Sequence, residues 1–221
     1  SSAASDVYKR QALRSARATA AINGAIGREI LTLPLLASRL AGGFTTPAGT
    51  DVLYPAIQAA LASGGFQDIA GVAGLPGMPR AVLQSLGSVW RTDLDLPSLA
   101  HEAARFHDLA LIEARIRDNI PPTHLLPRDL RDAAVKRAHY ARALLGSITL
   151  AGLVEGDPVW RPLLTAIARE TDLSWDLPSG ADQPWFTGAI RKIAAPGPTH
   201  TSAEACADPK SEVVELSLIH I

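Results

Sequence analysis

The chain has 221 residues, with 21 Lys+Arg against 22 Asp+Glu for a formal net charge of -1, and 47% of its residues are hydrophobic. That length allows one large domain or two small ones, and the charge balance excludes a global pull toward nucleic acid or anionic membranes, so only a local patch would serve such partners. A single cysteine, Cys206, excludes an internal disulfide, no apolar run is long enough to span a bilayer, and no basic-then-apolar leader opens the sequence; a cytoplasmic protein is expected.

The first eleven residues, "SSAASDVYKRQ", lack periodicity. Ala12 to Ile26 reads as a helix with Leu13, Ala16 and Ala20 near one side, ended by Gly27. Ile30 to Leu33 reads as a short strand, and Pro34 opens a helix that closes at Gly42-Gly43. A helix capped by Thr50 or Asp51 closes at Gly64-Gly65, with Pro55 near its first turn. Val82, Leu83, Leu86, Val89 and Trp90 give helical spacing to the next segment. "PSLAHEAARFHDLALIEARIRDNI" continues as a helix of roughly five turns. A fourth helix runs from Pro127 toward Gly146. Residues 50–145 therefore read as an all-helical block.

The pattern then changes. "SITLAGL" has the apolar, β-branched character of a buried strand, "GDPVWRPLLTAIARET" is a helix after Asp157-Pro158, and "DLSWDLP" is another strand. Strand, helix, strand over this distance predicts a βαβ unit in a parallel sheet. A short helical piece is expected around Trp185 to Ile193, then a linker with a domain boundary near 195–203. In "CADPKSEVVE", Pro209 begins a last helix with Lys210 and Glu212 outward and Val213 and Val214 inward.

Few residues carry a sharp chemical signal. No phosphate loop of the GxxxxGK[ST] type is present, and Gly24 and Gly27 in "NGAIGRE" follow a helix with no lysine behind them. His101 and His107 are six apart, which does not converge on one ion from a straight helix, and no zinc spacing appears; His124, His139, His200 and His220 are isolated. Cys206 has no local activating partner. Glu155 and Asp157 fall at the carboxyl end of a predicted parallel strand, where ligands bind in open α/β sheets; they would hold magnesium there or cap the next helix. Arg115, Arg117, Arg128, Arg131, Lys136 and Arg137, interleaved with Asp118, Asp129 and Asp132, form either a solvated helix face or a phosphate-contacting one. Thr32, at the end of the first predicted strand, would add a hydroxyl donor to a phosphate.

In order, "GREILTLPLLASRLAGGF", "GGFQDIAGVAGLPGMPRAVLQSL", "SITLAGLVEGDPVWRPLLTAIARET" and "CADPKSEVVE" resemble the amino-terminal region of the AddB-like helicase–nuclease family, over residues 12–215. Members act in DNA double-strand break repair and carry a PD-(D/E)XK nuclease domain toward the carboxyl end. The resemblance implies an α/β fold, a partial RecA-like (superfamily-1 helicase-like) parallel sheet domain with an all-helical insertion. Its first part would be 12–49, the insertion 50–145, its second part 146–195, and 196–215 a linker and the start of a second RecA-like domain. By the same resemblance Thr32 sits at a strand-end motif that touches DNA backbone; Arg128 and Arg131, from the basic cluster, are expected as further DNA contacts. Gly156, Asp157 and Pro158 match a nucleotide-sensing "GDPxQ" motif in which Trp160 stands for the glutamine, which argues against ATP-driven activity and for a DNA-scanning scaffold. The implied partners are double-stranded DNA ends or single-stranded DNA and an AddA-like helicase–nuclease subunit; Mg2+ and ATP would belong to the parent protein, with no cofactor and no catalytic residue in this stretch. Residues 1–11 and 216–221 ("LSLIHI") read as translated adaptor sequence flanking a gene fragment. Two further readings are a helical protein-interaction or regulatory domain, and a small α/β hydrolase using Glu155 or Asp157. A RecA-like sheet lacking its first strand would leave an unpaired edge, so a stability below ~5 kcal/mol and a tendency to aggregate are expected.

Overall fold

Among the described residues, proline stands in the first turn of most helices and glycine follows three of them. The computed structural model describes residues 29–193. The helix expected over 12–26, the boundary near 195–203, the segment from Cys206 to Glu215 and both adaptor-like ends lie outside the described residues. Helix α1 spans Leu33–Leu40 with Pro34 in its first turn, and Gly42 and Gly43 follow at φ 120° and 77°, a region L side chains avoid. Strand β1 is Thr46–Pro47 and α2 is Thr50–Ala62, with Gly49 rather than Thr50 or Asp51 at its N-cap. Helix α3 spans Met78–Trp90, α4 is the single turn Leu96–Leu99, and α5 spans Ala104–Asn119. Strand β2 is His124–Leu125 and α6 is Pro127–Val135. A 3-10 turn, Ala138–Tyr140, leads into α7, Ala141–Leu145. Strand β3 is Ile148–Leu150; a second 3-10 turn, Pro158–Trp160, runs into α8, Arg161–Glu170; β4 is Leu173–Pro178 and β5 is Ala189–Ile193.

The protein is α/β, with two small parallel sheets among the described residues. In the larger sheet, ordered β3-β4-β5, β3–α8–β4 is the βαβ unit that the pattern predicts. One face of this sheet is apolar. Leu150, Leu173, Trp175 and Leu177 pack with Leu163, Leu164 and Ile167 of α8, Leu130 and Ala134 of α6, and Leu36, Ala37 and Leu40 of α1. The other face is polar. Thr149 lies opposite Ser174 with hydroxyls 3.1 Å apart, and Arg191 lies opposite Asp176, to which its Nε donates at 2.7 Å.

A second core joins α2, α3, α4 and α5 through Leu53, Ile57, Leu61, Val82, Leu86, Trp90, Leu96, Ile112 and Ile116. Its two chain ends meet at the β1–β2 pair, where Thr46 N donates to Thr123 O and Ala48 N to Leu125 O. The helical unit is thus inserted into the α/β unit through a two-strand neck.

Several expected elements differ. Ile30–Leu33 does not join a sheet among the described residues: Thr32 is extended (φ −78°, ψ 159°) but serves as the N-cap of α1, and Leu31 and Leu33 pack sideways on the α/β core. The five-turn helix over 97–120 is interrupted at 100–103, leaving α4 and α5 separate. The helix expected from Pro127 to Gly146 breaks at Lys136-Arg137 into α6, a 3-10 turn and α7. These last pieces pack with the α/β core, so the helical run of 50–145 is divided between two cores near Leu126. Strand β3 is an edge strand in which only Leu150 is buried, because one side of the sheet carries the core. The helical piece expected at Trp185–Ile193 is instead an aromatic loop followed by β5.

Candidate functional site

The carboxyl end of the parallel sheet is built around one glycine. Gly156 follows β3 in the loop 151–157, and a Cβ there would lie 3.3 Å from Trp175 Cη2 and 3.6 Å from Trp185 Cζ2. The two indoles meet edge to face with centroids 5.6 Å apart, and Phe186 stands against both at 5.2 and 5.8 Å. Such pairs add about 0.5–1.5 kcal/mol each beyond the area they bury. The same cluster fixes the loop backbone: Trp175 Nε1 donates to Leu153 O at 2.8 Å, and Gln183 Nε2 donates to Val154 O at 2.9 Å while its Oε1 accepts from Trp185 Nε1.

Glu155 and Asp157 emerge from this fixed loop as exposed carboxylates. Neither caps the following helix with its side chain; Asp157 contributes its carbonyl, which accepts from Trp160 N at 3.0 Å. Pro158 begins the 3-10 turn, and Val159 N donates to Arg91 O at the end of α3, tying the loop to the helical unit. Trp160, in the place of the expected glutamine, is only 4% exposed and belongs to the α/β core, so its indole is a packing group and not a surface sensor. Arg161 lies 5.1 Å over the Trp185 ring, with its Nε buried and without a hydrogen-bond partner. Among the described residues no three His, Cys, Asp or Glu side chains converge as a metal-binding group.

The basic residues singled out from the sequence do not gather on one face. Arg115 donates to Ala60 O and Gly64 O and lies over the Phe66 ring. Arg117 binds Asp129 at 2.8 Å and approaches Glu113. Arg128 binds Asp95 at 2.8 Å and Leu94 O. Arg131, only 6% exposed, pairs with Asp93 and Asp132. Burial alone would weaken the hold of Arg131 on its proton, but the hydrogen bonds to Asp132 and Asp93 outweigh it and raise its pKa; Asp129 does the same for Arg117. Arg117, Arg128 and Arg131 therefore join the α/β unit to the helical unit and its connecting loop. Thr32 is the N-cap residue of α1, its hydroxyl making no capping bond to that helix.

Two members of the set, Lys136 and Arg137, are exposed at the break after α6. Arg137 Nε donates to Leu40 O at 3.1 Å, and its guanidinium lies 5.1 Å from the Tyr140 ring centroid. Sequence reasoning passes over Tyr140 and Arg142 beside them, and weighs His139 only as a metal ligand. A signal is present: no Asp or Glu occurs between Asp132 and Glu155.

Comparison with known proteins yields no match, whether to a family model, a curated protein or a solved structure.

Proposed function

We propose that this chain is part of an AddB-like DNA double-strand break repair helicase–nuclease, in which it serves as a DNA-binding scaffold of partial RecA-like architecture. The observation that carries this reading is the inserted helical unit: an α/β core is interrupted after α1, resumes at α6, and presents the Gly156-Asp157-Pro158 loop at the carboxyl end of β3. The resemblance implies an all-helical insertion over 50–145; the helical unit supports that reading in kind but ends earlier, since α6 already packs with the α/β core. Asp157 is exposed and able to meet a ligand, and Thr32 is half-buried at the N-cap of α1 without a side-chain capping bond. With Trp160 in the core, the loop suits a rigid support better than a nucleotide-responsive switch. In the parent protein an AddA-like subunit would be the partner, and Mg2+ would serve a nuclease domain outside this stretch.

The test is to read the source gene through both ends of this sequence. A strand with a phosphate-loop-like segment upstream and a PD-(D/E)XK carboxylate cluster downstream would support the assignment; a frame that closes soon after Glu215 would overturn it.

A second reading, a helical protein-interaction module without a DNA role, draws on two observations. Ile30–Leu33 stays out of the β3–β4–β5 sheet, and Arg115, Arg117, Arg128 and Arg131 are all engaged internally. Absence of any DNA binding by the chain would favour it.

A further inference from the structure

We infer that the turn between α6 and α7, together with the loop after α1, forms a stacking and phosphate-contacting surface for single-stranded nucleic acid. This rests on the DNA-scaffold reading above and moves the contact away from Arg128 and Arg131, which are paired with Asp95 and with Asp93 and Asp132.

The surface is assembled around Arg137. Its Nε is anchored on Leu40 O, the carbonyl at the end of α1, and its guanidinium covers the Tyr140 ring. A Cβ placed on Gly42 would lie 4.0 Å from Arg137 Cζ, so the loop after α1 runs against the same guanidinium. Two residues on, Phe44 is 89% exposed, an extreme for a phenylalanine, and Tyr140 is 45% exposed. His139 lies against Tyr140 with ring centroids 4.0 Å apart and planes tilted by 45°. One fixed arginine is thus flanked by two segments that each hold an aromatic ring out to solvent.

The charges fit the rings. Lys136 and Arg142 are exposed on either side of the turn and take part in no ion pair among the described residues. The acid that precedes the turn on α6, Asp132, is engaged by Arg131. Three cations within seven residues, with no acid until Glu155, give a local positive field in a chain whose net charge is -1. Solvent-facing rings interleaved with cations are the chemistry that binds splayed single strands, since every base offers a face to stack on and every nucleotide a phosphate. A protein partner would favour a continuous apolar patch; here Lys136, Arg137 and Arg142 interrupt it.

The experiment is fluorescence anisotropy with a labelled oligothymidylate and the 221-residue chain, across a salt series. Tyr140→Ala is expected to weaken binding about tenfold, and Tyr140→Trp to restore it, as stacking requires. The double variant Lys136→Ser/Arg142→Ser is expected to lower the slope of log affinity against log salt by about 1.4, since each phosphate of a single strand that a cation neutralises adds ~0.7 to that slope. Thermal melts of each variant equal to the parent chain exclude unfolding as the cause. If the parent chain binds and these variants bind as well as it does, the surface is overturned while the scaffold reading stands. Equal affinity for duplex with no loss on Tyr140→Ala also overturns it. If the parent chain binds no nucleic acid, both fall. If the variants behave as expected but the gene lacks the nuclease region, the surface stands and the repair assignment falls.

Discussion

Asp108 shows how much one buried side chain can organise. It is 1% exposed, and its two carboxylate oxygens accept from Gln67 N, Asp68 N and Ile69 N at 2.8, 2.8 and 3.1 Å, pinning the start of the 67–77 loop to α5. Burial pushes its pKa up, but the three amides and His107 outweigh that and hold it below the usual carboxylate value of 3.8. A depressed folded pKa means that the contribution to stability is complete above the unfolded pKa and is lost as pH falls through the folded one. Acid titration of the urea midpoint should therefore show a loss between pH ~5 and ~2 that Asp108→Ala removes. At neutral pH the same variant strands three amide donors and should cost about 3 kcal/mol in urea unfolding, with Asp108→Asn costing less. Glycine contacts give a graded comparison. At Gly156 an added Cβ meets the edge of Trp175 at 3.3 Å, whereas at Gly188 it meets Leu173 O at 2.5 Å and the Phe186 ring at 2.6 Å. Gly156→Ala should cost about 1 kcal/mol with a shift in tryptophan emission. Gly188→Ala, facing backbone, should cost more than twice as much by the same thermal-melt comparison.

At the scale of elements, α6 is the joint of the molecule. Its apolar side, Leu130 and Ala134, belongs to the α/β core, while Arg128, Asp129 and Arg131 reach Asp95, Arg117 and Asp93. Arg131→Ala should cost about 1–2 kcal/mol through weakened packing and pairing, since Asp93 and Asp132 remain half in water when released. Arg128→Ala, at a more exposed pair, should cost about 0.5 kcal/mol, and double-mutant cycles with Asp93 and Asp95 would separate the two contributions. Helices α2 and α3 and the β3–α8–β4 unit are legible in the sequence from their periodicity and end signals, whereas α5 is legible only as part of one longer helix, without its break from α4. Ile30–Leu33 reads wrongly as a strand since four residues of this character before a proline suit a strand and a helix entrance equally, and Leu31 and Leu33 are packed by tertiary structure alone. Strand β5, with only Ile190 half-buried, has no amphipathic signal to read. The arginine partners are invisible for a different reason: Arg131 and Asp93 lie on separate elements, and nothing local says that they meet.

For the whole molecule, the two apolar cores do not merge into one. Urea unfolding is expected to proceed in two steps, with the α/β unit accounting for less than ~5 kcal/mol, because β3 and β5 are both open edges among the described residues. A single cooperative transition above that value would contradict it. The β1–β2 neck also predicts that residues 48–123 can be replaced by a short Gly-Ser link without unfolding the rest. Circular dichroism should then lose helix, while the Trp175–Trp185–Phe186 cluster keeps its near-ultraviolet signal. Of the candidate site, the Gly156-Asp157-Pro158 loop could be found from its position after a strand, but the burial of Trp160 and the exposure of Phe44 depend on which side each faces once packed.

The neck has a consequence for the order of events in folding. Until α2 to α5 assemble, the α1 segment and the α6–β5 segment are the ends of a long loop, and closing it by chance is slow. Once the helical unit forms from its own short-range contacts, Thr46 and His124 are delivered side by side, and the two halves of the α/β core are neighbours. Thereafter the length of the insertion hardly matters, as a tenfold longer loop costs only about 2 kcal/mol more in closure entropy. The helical unit is in this sense a built-in folding catalyst: damage to Leu86 or Ile112, far from the sheet, should slow the appearance of the tryptophan cluster more than it lowers its final yield.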